Sequence, residues 1–234
     1  KCWGMGTQGR LGNGSSTNSS SPAKVPSLIG PMGVVVPQTQ RGSMRGNGAR
    51  PWRLGLTAGW KHTCALVSDG TVKCWGYNAY GQLGDGSVAQ KATPVAVSTL
   101  TNAVAVVAGG NFTCALASDG TIKCWGSNSQ GQFADGTTID KTTPTNSFFG
   151  PDVAVTAGGA HACALAPGGT ASCAGYNAFG QLGDGTTFSA PTYMTTAVSS
   201  LTGAVALTGG GDHSCALGAD GSVKCWGHNA FGQL

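Results

Sequence analysis

The chain has 234 residues, 40 of them glycine, with 9% charged side chains, no glutamate and a formal net charge of +4. Its length suits one large all-β domain, and no apolar run approaches the ~20 residues that would span a bilayer. The low charge and high Gly/Ser/Thr/Asn content resemble a disordered chain, but regular Val/Ala/Leu/Trp segments can bury a core repeat by repeat.

The chain opens on Lys1-Cys2-Trp3-Gly4, the tail of a phrase that recurs downstream. A glycine-rich bend follows, with Asn13 where later copies carry aspartate. Residues 31–54 then break the pattern. Arginines, glycines and one tryptophan interleave there without an acid: Arg41, Arg45, Arg50, Trp52 and Arg53. Three readings of this stretch stay open: a protruding loop that grips an anionic partner or nucleic acid, a disordered insertion, and an out-of-frame stretch in the gene.

The first full copy of the phrase runs His62–Gly76, and the others run Phe112–Gly126, His161–Gly175 and His213–Gly227. Within the first, Thr63–Val67 and Thr71–Trp75 are runs of β-formers around Ser68-Asp69-Gly70. A short loop closing on glycine predicts a hairpin, because glycine tolerates the left-handed backbone of the turn. If Val67 pairs with Thr71, Leu66 faces Val72, Cys64 faces Cys74, and all four share one sheet face. The bends after each Trp-Gly, such as 77–86 and 176–185, are expected to carry the chain from the outer strand of one blade toward the next. Thr93–Val97 and Ala103–Val107 read as two more strands before the next hairpin.

The second cysteine of each copy stands at 2, 74, 124, 173 and 225, giving steps of 72, 50, 49 and 52 residues. Four strands per ~50 residues is the layout of a propeller blade. The expected fold is therefore an all-β propeller of four-stranded blades, in repeat steps 5–76 (with the atypical insertion at about 31–54), 77–126, 127–175 and 176–227. Residues 228–234 begin another repeat, and the chain reads as a fragment of a ring.

All nine cysteines occupy the two repeat positions: Cys64/Cys74, Cys114/Cys124, Cys163/Cys173, Cys215/Cys225 and the lone Cys2. Directly opposed strand residues come close enough to bridge. The alternative is a free buried cysteine acting as a small hydrophobe. A zinc site is disfavoured, because a spacing of ten lacks the tight Cys-x-x-Cys knuckle. The third copy loses its tryptophan but keeps its cysteine pair, which favours bridging and an oxidising compartment.

His62, His161 and His213 share one position that also accepts Phe112, which suits packing or hydrogen bonding better than catalysis. Asp85, Asp135 and Asp184 recur one per bend, as turn residues do, without the spacing of a calcium loop. Trp3, Trp75, Trp125 and Trp226 recur once per blade, as inter-blade packing requires. No catalytic residues, cofactor or metal site are expected.

Gly-Gln-Leu-Gly-Asp-Gly at 81–86 and 180–185, the Ala-Gly-x-x-His-x-Cys-Ala-Leu phrase at 58–66 and Asp-Gly-Thr-Val-Lys-Cys-Trp-Gly at 69–76 resemble the regulator-of-chromosome-condensation repeat family. The resemblance covers nearly all of the chain except about 31–55 and implies a seven-bladed ring. The segment around Trp60 also resembles a motif of a light-sensing branch of that family. The mechanism there needs a tryptophan cluster, and the equivalent positions here are glycine or aspartate, so photoreception is not expected. The reading is an exported, disulfide-stapled, non-enzymatic propeller, extracellular or at the cell surface. It would bind a protein partner through its loops, with nucleic acid not expected. Two alternatives remain: guanine-nucleotide exchange on a small GTPase, as the family implies, and a lyase-type site supported only by the recurring histidines.

Overall fold

The computed structural model describes residues 1–26, 55–189 and 195–234. Residues 31–54 of the insertion, with Arg41, Arg45, Arg50, Trp52 and Arg53, lie outside the described residues. All regular structure in the described part is antiparallel strand, apart from one 3-10 turn at Thr7–Gly9.

Three sheets are complete four-stranded blades. Blade II comprises β3 (Leu56–Ala58), β4 (His62–Leu66), β5 (Val72–Gly76) and β6 (Lys91–Ala96). Blade III comprises β7 (Ala103–Ala108), β8 (Phe112–Ala117), β9 (Ile122–Gly126) and β10 (Lys141–Asn146). Blade IV comprises β11 (Ala154–Ala157), β12 (His161–Leu165), β13 (Ala171–Gly175) and β14 (Thr196–Ala197). Two partial sheets flank them. Blade I holds β1 (Cys2–Gly4) and β2 (Ser19–Ala23), and blade V holds β15 (Ala204–Gly209), β16 (His213–Gly218) and β17 (Val223–Gly227).

The hairpin register is the one the sequence predicts. Leu66 faces Val72, Cys64 faces Cys74, and Val67 N–H bonds to Thr71 O. The other three hairpins repeat it, with Cys114 opposite Cys124, Cys163 opposite Cys173 and Cys215 opposite Cys225. Blade membership, however, differs from the sequence reading by one strand. The bend at 77–90 joins β5 to β6 within one sheet, so the Thr-Pro strand closes the outer edge of its own blade rather than opening the next. The physical reason lies in the proline. Pro94 and Pro144 cannot donate to a ladder and therefore sit on edge strands, where no further partner is needed. The chain crosses to the next blade later, at residues 97–102 and 147–153.

The core lies between blades rather than within a sheet. The inner strands β3, β7, β11 and β15 pack side by side, and β7, β11 and β15 each also rest on the second strand of the blade before. Cys64, Leu66, Val72, Cys74, Leu83 and Trp125 fill seam II/III, while Cys163, Leu165, Cys173, Leu182 and Ala216 fill seam IV/V. Every blade hides one apolar face on its neighbour, the logic of a repeat array in which no single repeat can bury its own core.

Candidate partner-binding face

Because the strands alternate in direction, the loops divide between two ends of the molecule. One end carries the hairpin turns, in which Asp69, Asp119 and Asp220 accept from Thr71, Thr121 and Ser222. Those hydroxyl and amide donors hold the three carboxyls below the usual carboxylate range. The opposite end carries the short loops between first and second strands, together with the long bends.

Each bend is built around a buried asparagine. Asn78 Nδ2 donates to Ser87 O at 3.0 Å and Ala89 O at 3.1 Å, while its Oδ1 accepts Leu83 N–H at 2.9 Å. Asn128 and Asn177 repeat the arrangement. Asp85 Oδ1 accepts the Ser87 amide and hydroxyl, which is turn chemistry, and Asp85 also lies 3.8 Å from Lys91 Nζ. These asparagines were missed in the sequence reading. Their signal was available: Asn recurs two residues after the glycine of Trp/Ala-Gly in every bend but the first.

The short loops of neighbouring blades meet edge to edge. Trp60 N–H bonds to Gly110 O, Gly110 N–H to Gly159 O and Gly159 N–H to Gly211 O, at 3.2, 3.1 and 2.7 Å. A Cβ on Gly110 would sit 2.5 Å from Gly159 O, so this close backbone approach requires glycine. The same register makes Gly110, Gly159 and Gly211 the equivalents of Trp60, so no tryptophan cluster forms there. The Trp60 indole lies over Gly110 and Gly159 yet remains 61% exposed.

Further aromatics stand on the same face. Tyr77 and Tyr80 meet edge-on at 6.2 Å, and Lys61 Nζ lies 5.4 Å above the Tyr77 ring. Tyr176, Phe179, His228 and Phe231 form a run with centroid spacings of 6.1, 4.5 and 6.0 Å. Phe179 and Phe231 are exposed. Between β1 and β3 a groove of about 490 Å³ is lined by Lys1, Trp3, Met5, Arg10, Leu56 and Trp60 among others.

The remaining sequence candidates are structural. Cys64–Cys74, Cys114–Cys124 and Cys215–Cys225 are disulfides with Cα–Cα distances of 4.1 Å, and Cys163–Cys173 is one at 4.0 Å. Cys124 is fully buried, whereas Cys225, on a strand that no further blade covers, is only half-buried. All eight lie on the hairpin strands and none on the loop face, so they staple blades and form no part of the candidate binding surface. Cys2 is free.

His62 Nε2 meets Thr113 Oγ1 at 2.8 Å, and His161 Nε2 meets Ser214 Oγ at 2.8 Å. Burial pushes both histidines down to about 4, so both are neutral at pH 7. Trp75, Trp125 and Trp226 each donate Nε1 to a bend carbonyl at 3.0 Å: Arg10, Gln82 and Gln181. Among the described residues no group of three or more His, Cys or Asp side chains is placed to hold a metal.

The architecture and this loop face define a β-propeller scaffold that presents an aromatic surface. Comparison with known proteins makes the class specific. Two family models for the regulator of chromosome condensation (RCC1) repeat match, one over residues 2–36 and 69–116, the other over 55–82, 103–132, 153–181 and 204–233. The chain belongs to this repeat family. It is 45% identical over 42 residues to the ultraviolet-B receptor UVR8 of Arabidopsis thaliana, a stretch that covers 18% of this chain and 10% of the receptor. Its fold is similar to that of Prp20p from Saccharomyces cerevisiae, with 25% identity, a TM-score of 0.78 and coverage of 99% of this chain and 54% of that one. It is also similar to human WBSCR16, with 23% identity, a TM-score of 0.69 and coverage of 77% and 49%. The chain thus spans about half the length of these solved relatives.

Proposed function

We propose that this chain is a non-enzymatic, protein-binding propeller, exported and stapled by hairpin disulfides, which works outside the cell or at its surface. The observation that carries the reading is the set of exposed aromatics on one face, with Trp60 seated on the glycine loops of the two following blades. Large aromatics held rigidly and left in solvent are the usual anchors of protein interfaces, because little conformational entropy is lost when a partner covers them. The buried histidines, asparagines and hydroxyls are engaged in seams and bends, which supports binding over catalysis. The cysteine pairs support export, since such bonds persist in oxidising compartments.

A second reading is guanine-nucleotide exchange on a small GTPase. The observation in its favour is the similarity to Prp20p, whose structure was reported together with its binding to Gsp1p and histones. Two measurements decide between the readings. Protein purified without reductant, denatured and alkylated should show eight of its nine cysteines blocked by mass spectrometry. Added to Gsp1p loaded with fluorescent GDP, it should leave nucleotide release unchanged. Free thiols throughout, together with accelerated release, would put the exchange reading first.

A further inference from the structure

The three complete seams are not built alike. At seam II/III a polar chain crosses from blade to blade. Thr113 Oγ1 donates to Gln82 O at 3.0 Å, and Trp125 Nε1 donates to the same carbonyl. The single hydroxyl proton of Thr113 is thereby used, so His62 Nε2 carries the hydrogen and donates to Thr113 Oγ1. His62 Nδ1 is left as an unprotonated nitrogen, buried against Gly59, with no partner. Seam IV/V repeats the arrangement: Ser214 Oγ donates to Gln181 O at 3.2 Å, Trp226 Nε1 donates there too, and His161 Nδ1 is buried against Gly158 without a partner.

Seam III/IV replaces the whole set. Phe112 stands for the histidine, Ala162 for the hydroxyl and Ala174 for the tryptophan. Phe133 and Ala134 stand where other bends have Leu-Gly, and Phe133 packs at 6.1 Å from Phe112. The substitutions sit together in one buried apolar cluster.

We propose that the propeller is an acid-responsive device in which protonation of His62 and His161 loosens seams II/III and IV/V while seam III/IV stays closed. A second proton on either ring must go to Nδ1. There it would be a buried donor with no acceptor on a buried charge, which the closed seam cannot accommodate and an opened seam, wetted by solvent, can. Burial is the main influence on both rings. A backbone group of Phe112 opposes it at His62, and His213, facing from β16, adds to it at His161. Among the described residues no carboxylate or ammonium group contributes at either ring. Because both values are lowered, closure is favoured in full above the usual imidazole range and is lost as pH falls from about 6.5 toward about 4.

The link into blade IV carries a group of the opposite sign. Asp152, in the link between blades III and IV, donates its N–H to Gly120 O, while its Oδ2 is buried without a partner. Burial pushes its carboxyl up to about 6. Its contribution is therefore present in full at low pH and is lost as pH rises through about 6. Acid thus weakens the two seams that hold a buried histidine, and seam III/IV holds none.

Hydrogen exchange on the intact, oxidised chain tests this, because each seam has a reporting amide. Ala108 N–H donates to Thr57 Oγ1 across II/III, Gly209 N–H to Thr156 Oγ1 across IV/V, and Gly110 N–H to Gly159 O across III/IV. After correction for intrinsic rates, moving from pH 7.5 to 4.5 should speed exchange at Ala108 and Gly209 on the order of a hundredfold and leave Gly110 unchanged or slower. Equal acceleration at all three amides, or none at any, would overturn the proposal. His62→Phe with Thr113→Ala copies the Phe112/Ala162 pair into seam II/III. The slot suits it, since Phe112 presses on Gly109 as His62 presses on Gly59. Acceleration should vanish at Ala108 and persist at Gly209; persistence at Ala108 would refute the assignment to His62. The reciprocal Phe112→His with Ala162→Ser should install acceleration at Gly110, and its absence there would count equally against the proposal.

Discussion

Asn78 has no exposed surface, and both ends of its amide are committed to the bend. Cutting it to alanine would strand the Leu83 amide and the carbonyls of Ser87 and Ala89 in a buried setting. Asn78→Ala should therefore cost about 3 kcal/mol, seen as a lower urea midpoint with unchanged slope. Gly84 is constrained differently. Its φ is +70°, and a Cβ there would lie 2.7 Å from Trp125 Nε1. Gly84→Ala combines left-handed strain with overpacking and should cost about 2 kcal/mol or more by the same measurement. At the matching position Ala134 is tolerated at φ +50°, because the facing residue is Ala174 rather than tryptophan. Residue identity here is set by a partner some forty positions away.

At the scale of the element, the hairpin was legible in the sequence and the seam was not. Turn glycine, alternation and the cysteine pair all lie within fifteen residues, so register could be read locally, and Cys64 opposite Cys74 follows, as does Cys114 opposite Cys124. The His–hydroxyl–carbonyl–tryptophan chain joins residues 31 to 53 apart, such as Gln82 with Thr113 and His161 with Ser214. No local pattern marks it until blades are stacked. The same limit displaced the Thr-Pro strand to the wrong blade. Removing one bridge, Cys163→Ala with Cys173→Ala, should cost about 2–3 kcal/mol for a closure of this length, read from thermal or urea unfolding. Ala174→Trp alone should destabilise by about 1–3 kcal/mol, because Ala134 and Phe133 occupy the indole's place. Adding Ala134→Gly and Phe133→Leu should recover most of that loss. A triple variant no more stable than the single one would show that the seam is not an exchangeable set.

For the whole molecule, burial is a property of the ring neighbour more than of the residue. Trp3 is 64% exposed where Trp75 and Trp125 are fully buried, and Val223 is 66% exposed where Val72 is fully buried. Residue and strand position match in each comparison, and what differs is whether a further blade covers them. The described residues therefore present two unlike apolar faces, one on blade I and one on blade V. Each matches a surface that the internal seams cover. Trp3 is shaped for a bend carbonyl of the kind Gln82 and Gln181 supply, and the bend at 228–234 offers an equivalent at Gln233. Unlike faces that complement one another associate head to tail, and such contacts propagate unless the rotation closes. The 234-residue chain should therefore sediment as concentration-dependent oligomers. Trp3→Ser and Val223→Lys, one at each face, should each shift the distribution toward monomer without altering the far-ultraviolet spectrum. A wild-type chain that sediments as one monomeric species across the micromolar range would contradict the expectation. It would also show that the uncovered faces of blades I and V can stand in water.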